Sequence, residues 1–247
     1  MEHLRLVFQA LAENNILLNT EKCVFAKEPL EFLGHVVDAQ GIKIPDSRVD
    51  AILRFPKPQT RKELERFLGL FAFVHRFVRG ASGIVATLHG LRSCKSDQGM
   101  TKAWTETHDS AFSRAKDAIA AATLLAHPNP KLPMELWTDA SDLAAGAVLV
   151  QASEKGWQPL AFWSKAFNKC QKNYSPFDRE LLALSYAVDH FRFYLESQPI
   201  IVRTDHKPLV GALSKGSDTA TPLQRRHLNR VAQYVTRLEY LSGAENQ

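Results

Sequence analysis

Residues 136–141 read LWTDAS. The run that leads into them, MELW (134–137), is strand-like, yet it delivers Asp139 into a cluster of small polar residues. Asp and Ser are common turn builders because their side chains hydrogen-bond nearby backbone. A short motif by itself carries little weight against that plain reading. The surrounding chain therefore has to show whether Asp139 is a turn residue or the first member of a site.

Downstream, MELWTDA, AAGAVLVQA and QPLAFWSKA are three strand-like runs at hairpin spacing, which predicts an antiparallel meander. Ser175-Pro176-Phe177-Asp178 then supplies an N-cap, a proline at the first helical position and an acid at the third. The helix it opens carries Leu181, Leu184, Val188, Phe191 and Leu195 as a core stripe. PIIVRTDH (199–206) reads as a short buried strand, residues 222–235 as a helix and RLEYL as a last strand. Strands, helix, strand, helix predict an α/β (α+β) region with a mixed sheet.

Two more acids fall at the ends of these elements: Glu180 early in the long helix and Asp205 after the fourth strand. Each has a plain explanation. An acid near a helix N-terminus favours the macrodipole by ~0.3–1 kcal/mol, and Asp205 before His206 suits a turn. Glu180, however, borders the apolar stripe, with Leu184 four residues on. If the first and fourth strands lie side by side beneath that helix, Asp139, Glu180 and Asp205 converge. Three close carboxylates repel one another unless a cation joins them, and hard divalent ions take oxygen ligands.

Upstream, HLRLVFQALAENNILLN has helical spacing, and EFLGHVVDAQGIKI predicts two short strands around Ala39-Gln40-Gly41. Asp46 to Phe55 reads as a short helix ended by Pro56 and Pro58. Thr60 and Glu63 form a capping-box signature for a helix reaching about Arg79. Leu64, Phe67, Leu68, Phe71 and Val74 are its core face, which leaves Arg61, Lys62, Arg66 and Arg76 for the other surface. RSCKSDQG (92–99) reads as the best domain boundary, residues 107–122 as an amphipathic helix and HPNPKLP (127–133) as a second break.

Composition is that of a globular chain: 247 residues, 45% hydrophobic and 23% charged. No apolar run approaches the ~18 residues of a membrane span, and the N-terminus has no signal architecture, so an intracellular location is expected. Cys23, Cys94 and Cys170 are far apart and predict neither a disulfide framework nor a zinc site. Net charge is +5, but residues 54–95 hold nine Lys/Arg against only Glu63 and Glu65. That local basic field suits a polyanion, although a solvated helix face would look the same.

Read together, TDAS, GAVLVQ, PLAFWSKAF, NYSPFDRELLAL, FRFYL and TDHKPL closely resemble the ribonuclease H-type domain of gypsy-class LTR retrotransposon Pol polyproteins. LNTEKCVFAKEPLEFLGHVVDAQGIKI and RFPKPQTRKELERFLGLFAFVHRFV resemble the end of the reverse transcriptase palm and the thumb of the same polyproteins. AWTETHDSAFSRAKDAI and LLAHPNPKLPMELWTDAS resemble the joining segment, so the resemblance is collinear over essentially the whole chain. It implies a palm end with a primer-grip-like hairpin at 1–45, a helical thumb at 46–95, a connecting segment at 96–132 and a ribonuclease H-like mixed sheet at 133–247. It implies that Asp139, Glu180 and Asp205 hold two Mg²⁺ or Mn²⁺ ions and cleave the RNA strand of an RNA/DNA hybrid. Phe32, Leu33 and Gly34, beside His35, would grip a primer end. Arg61, Lys62, Arg66 and Arg76, with Lys207 and Arg225, would contact nucleic acid, and the rest of the Pol polyprotein would be a partner.

The chain departs from the family pattern in two places. No Tyr-x-Asp-Asp stretch occurs, so polymerase chemistry is not expected from this chain alone. The family's Val-Ala-Asp-Ala-Leu block, whose Asp is the fourth nuclease acid, does not follow YLSGAEN. Asp218, Glu239 and Glu245 are the acids after Asp205, and none is an obvious replacement. A helix missing after the last strand would also leave apolar sheet surface uncovered. The alternatives to a nuclease are a catalytically inactive nucleic-acid-binding remnant and a decayed, unstable reading frame.

Overall fold

The computed structural model describes residues 1–154, 156–196, 200–214 and 220–242. Helix α1 (Glu2–Glu13) precedes a three-stranded antiparallel sheet of β1 (Leu30–Phe32), β2 (His35–Asp38) and β3 (Gly41–Lys43). The sequence predicts one turn here and the structure has two. Phe32 pairs with His35, so Leu33-Gly34 is a two-residue loop with φ 47° and 75°. Positive φ at both positions matches the twist of a tight hairpin, but leucine is an unusual residue there. The expected turn at Ala39-Gln40 is held by Asp38 Oδ1, which accepts from Gln40 N at 2.8 Å and Gly41 N at 3.1 Å.

Helices α2 (Asp46–Leu53) and α3 (Arg61–Val74) follow, the latter opened by the predicted Thr60–Glu63 capping box. Leu64, Phe67, Leu68, Phe71 and Val74 are all buried, as the spacing predicts. α3 stops at Val74 instead of Arg79, because residues 75–77 tighten into a 3₁₀ turn and Gly80 takes φ 61°. Two short helices, α4 (Ala81–Ile84) and α5 (Ala86–Gly90), lead to α6 (Asp97–Ala103) and α7 (Glu106–Ala120). The polar stretch 92–99 thus contains a helix start: Ser96 caps α6 by accepting from Gly99 N at 3.0 Å, and Met100 is fully buried.

The second sheet has strand order β6-β5-β4-β7-β8, with β4 (Met134–Ala140), β5 (Ala144–Ser153), β6 (Gly156–Ala166), β7 (Ile200–Thr204) and β8 (Val235–Tyr240). β4, β5 and β6 form the predicted antiparallel meander, while β7 lies parallel to β4 and β8 parallel to β7. The fold is therefore mixed α/β, with a five-stranded mixed sheet and flanking helices. The first and fourth strands of this region are neighbours, with Thr138 opposite Thr204, so their ends lie side by side. The remaining helices are α8 (Pro176–Leu195), α9 (Lys207–Ser214), which the sequence reading did not resolve, and α10 (Pro222–Ala232).

α8 covers one face of the sheet. Its buried Leu181, Leu184, Val188 and Phe191 share a core with Met134, Leu136, Leu149 and Val202. The other face of β5 and β6 belongs to a second core, where Val148, Val150 and Phe162 join Phe67, Phe71, Met100 and Phe112. Ser82 locks this contact: its N–H donates to Ser164 Oγ and its hydroxyl to Ser164 O, both at 2.8 Å. On β7 and β8 the same face is charged. Arg203 bonds Glu135 through Nε at 2.6 Å and Nη2 at 2.8 Å, and Glu239 through Nη1 at 3.2 Å. The apolar surface expected beside the last strand is, at these positions, an ion network.

The start of α8 gives a direct test. Ser175 Oγ accepts from Asp178 N at 3.1 Å, and such a cap stabilises a helix by about 0.5–2 kcal/mol. Ser175→Ala is expected to lower the unfolding free energy by that amount, seen as a lower urea midpoint with an unchanged denaturant slope. An unaltered midpoint would mean that packing alone starts the helix.

Candidate metal centre and nucleic-acid interface

The end of β4 divides its small polar residues between two tasks. Ser141 builds the turn: its Oγ accepts from Leu143 N at 3.2 Å and Ala144 N at 3.0 Å. Asp139 turns instead toward α8 and the end of β7. Asp139, Glu180 and Asp205 each offer a carboxylate oxygen, and the three oxygens lie within 4.8 Å of one another. Glu180 is anchored by accepting from Ala140 N at 3.1 Å through Oε1, while its buried Oε2 has no hydrogen-bond partner. Its residue is only 6% exposed.

The electrostatics follow from that crowding. Burial first, then Asp139 and Asp205, push the Glu180 carboxyl up to about 8. Asp139 lies further out, yet partial burial of its carboxyl and the nearby Asp205 charge also raise it, with Arg79 pulling the other way. Arg79 was counted in the basic segment but not assigned to a site. Together with Gly80, Trp137 and Gly146 it lines a small cavity of about 60 Å³ against Asp139. Nothing in the sequence marks this, because the approach depends on residues 75–84 packing against the distant β6. Arg179, next to Glu180, pairs with Asp142 at 2.5 Å and ties the β4–β5 turn to α8.

The donor set suits a hard divalent cation: it is all oxygen, converging, and includes a buried carboxylate oxygen with nothing to bond. Among the described residues no fourth acid joins the three. Glu239 is committed to Arg203 and Arg237, at 3.2 and 2.9 Å. Asp218 and Glu245 lie outside the described residues.

The basic and apolar residues predicted to meet nucleic acid are spread over four places. Phe32 and Leu33 are exposed at the hairpin tip. That tip packs on α2 and α3, since a Cβ built on Gly34 would lie 3.0 Å from Arg48 Nη2 and 3.2 Å from Phe73 Cζ. Arg48 in turn sits 4.1 Å from the Phe73 ring centre, and His35 stacks on the same ring at 5.0 Å. Arg76 is half-buried near this patch, 5.6 Å from the Phe77 ring. Arg61, at the far end of α3, donates its backbone N–H to Asp97 at 2.9 Å, while Lys62 and Arg66 are exposed. Lys207 lies 4.7 Å from the Tyr240 ring, and Arg225 lines a groove between α8 and α10.

A mixed five-stranded sheet with three carboxylates at the ends of β4, α8 and β7 defines a ribonuclease H-like domain. Residues 104–202 match the family described as the RNase H-like domain found in reverse transcriptase. Along 99% of its length the chain is 35% identical to the retrovirus-related Pol polyprotein from transposon opus of Drosophila melanogaster. It is 34% identical over the same share to that from transposon 297 of the same organism. Against the transposon Tf2-3 polyprotein of Schizosaccharomyces pombe it is 30% identical over 100% of the chain. It spans 25%, 23% and 18% of these relatives, about a quarter or less of each. Two foamy viral protease-reverse transcriptase structures share the fold over 98% of the chain. One, termed dRH and in complex with double-stranded DNA, has a TM-score of 0.73 at 21% identity over 43% of that chain. The other, in complex with RNA/DNA hybrid, has 0.72 at 20% identity over 33%. The chain is thus similar along its length to these transposon Pol polyproteins, and residues 104–202 carry the RNase H-like domain found in reverse transcriptase.

Proposed function

We propose that this chain holds an RNA/DNA hybrid and cleaves its RNA strand at the Asp139–Glu180–Asp205 cluster, with two Mg²⁺ or Mn²⁺ ions as cofactors. The observation that carries this reading is the buried, unpartnered Glu180 oxygen within 4.8 Å of two further carboxylates. Three acids so placed are costly without a cation. Divalent ions held there would supply Lewis acidity to a phosphodiester and its attacking water. The chain's own part is to fix the carboxylates: the Ala140 N–H orients Glu180, and β4–β7 pairing sets Asp139 beside Asp205.

In this reading residues 1–45 are the end of a palm with a primer-grip hairpin, 46–95 a thumb, 96–132 a connecting segment and 133–247 the nuclease. Phe32, Leu33 and Gly34 contact a primer end. Arg61, Lys62, Arg66, Arg76 and Lys207 meet phosphates, which set position and not sequence. α1 supports a place in a longer protein: none of its residues is buried, and Leu4, Leu6, Val7 and Phe8 are exposed. The rest of a Pol polyprotein is the partner that would cover it. Polymerase chemistry needs paired aspartates from outside these residues.

The commitment of Glu239 to Arg203 and Arg237 favours a second reading, binding without cleavage, because among the described residues no fourth acid assists. A hybrid with labelled RNA, incubated in Mg²⁺, in Mn²⁺ and in chelator, separates the two. RNA-strand cuts that require metal are expected. Saturable binding with no cuts in either metal would replace nuclease by binding module.

A further inference from the structure

α10 (PLQRRHLNRVA) contains three arginines, a histidine and no acid. It packs alongside α8 in parallel: Gln224 donates to Asp178 at 2.6 Å, His227 Nδ1 lies 2.8 Å from Ser185 Oγ, and Arg230 pairs with Asp189 at 2.5 Å. The outer side of that contact is concave, a groove of about 630 Å³ lined by Arg192, Arg225, Arg226, Asn229, Arg230 and Tyr234, among others. Arg230 and Arg192 are each held by an acid, Asp189 and Glu196. Arg225 and Arg226 are exposed and form no ion pair among the described residues. A solvated helix face would explain scattered arginines. It does not explain four of them walling one groove with amide side chains and an aromatic ring between.

We propose that the α8–α10 groove is a second nucleic-acid site, which takes the sugar–phosphate backbone of a strand extending beyond the carboxylate cluster. The inference rests on the nucleic-acid reading above and adds the place of contact. Residues 225 to 233 span about 12 Å of helix, over which a strand rising ~3.4 Å per phosphate presents three or four charges. Arginine forks bind phosphate oxygens bidentately, amides donate beside them, and Tyr234 offers a face for stacking. The groove begins nine residues along α8 from Glu180, so it does not share the metal cluster's ligands. An acidic peptide would meet the same charges but gains nothing from regular phosphate spacing or from a stacking ring.

The test is fluorescence anisotropy of a labelled 20-base-pair RNA/DNA hybrid, in chelator, with the full chain and with Arg225→Gln/Arg226→Gln. The double variant is expected to bind at least fivefold more weakly at about 0.1 M salt. Its slope of log affinity against log salt should shrink by about 1.8, or ~0.9 per lost phosphate contact. Both positions are exposed, so an unchanged thermal melt confirms the fold, and Arg225→Lys/Arg226→Lys should recover most of the slope. Equal affinity and slope in wild type and double variant would overturn the groove while leaving the nuclease reading intact. Weakened binding from a wild type that never cuts RNA would remove the nuclease reading and keep the groove. Poly-glutamate binding that depends on both arginines, with hybrid binding unaffected, would overturn the proposal in favour of an acidic protein partner.

Discussion

Replacing Glu180 by glutamine is expected to abolish metal-dependent RNA cleavage and to raise the melting temperature of the metal-free protein at pH 8. Both effects come from one carboxyl. Its pKa is raised to about 8 in the fold by burial and by Asp139 and Asp205, against 4.5 as the ordinary value. The folded state therefore binds more protons than the unfolded chain between about pH 4.5 and 8. Stability linked to this group is complete below the unfolded value and is lost as pH rises through the folded one. At about 1.4 kcal/mol per pKa unit, the loss by pH 8 is of order 3–5 kcal/mol. An amide of the same shape carries no charge, keeps the Ala140 N–H bond through its oxygen and donates toward the neighbouring carboxylates. A gain of several degrees follows, at about 2–4 °C per kcal/mol for a chain of this size.

Divalent metal should narrow that difference. A cation at a hundred times its dissociation constant stabilises the wild type by about 2.7 kcal/mol, and the amide variant, one oxygen anion short, should gain much less. Differential scanning fluorimetry from pH 5 to 8, with Mg²⁺, Mn²⁺ or chelator, reads all of this. Equal melting curves for both proteins at pH 8 would remove the strained carboxyl from the account. Metal stabilisation that survives the substitution would place the ions elsewhere.

Arg203→Met is expected to destabilise the fold by about 3–5 kcal/mol, because it leaves a buried carboxylate without its counter-charge. Glu135 has a side chain only 4% exposed, and both of its oxygens are taken by Arg203, with Trp137 Nε1 adding a bond at 2.8 Å. The pair joins β4 to β7, and Glu239 extends it to β8, so one guanidinium crosses the three strands beside the site. Removing both charges, as in Glu135→Leu/Arg203→Met, should restore most of the stability, since apolar replacements of a buried pair are often neutral. Urea denaturation of both single variants and the double closes the cycle. A single variant near wild type would show that water reaches Glu135.

The carboxylate cluster of the candidate site was legible in the sequence because its acids mark element ends. Asp139 closes a strand, Asp205 follows one, and Glu180 sits one turn into a helix announced by Ser175 and Pro176. The core stripe of α8 and the apolar face of α3 followed from spacing alone. What failed to show depends on contacts far apart in sequence. Arg79 approaches Asp139 only once residues 75–84 pack on β6, with Ser82 bonded to Ser164, and Arg203 meets Glu135 only once β7 pairs with β4 across 68 positions. The Leu33-Gly34 turn was missed because leucine is a poor signal for positive φ, and α6 because its first turn is polar surface.

Val148, Val150 and Phe162 give the five-stranded sheet a back wall made by the preceding helices. A boundary drawn at residue 132 would thus not be a boundary of folding. Cut there, the sheet would present these side chains to water and lose the Ser82 lock, inviting self-association. Recombination that exchanged this sheet for another would have to carry the helices with it or find a substitute lining. The unit that evolution can move is larger than the stretch that carries the three carboxylates.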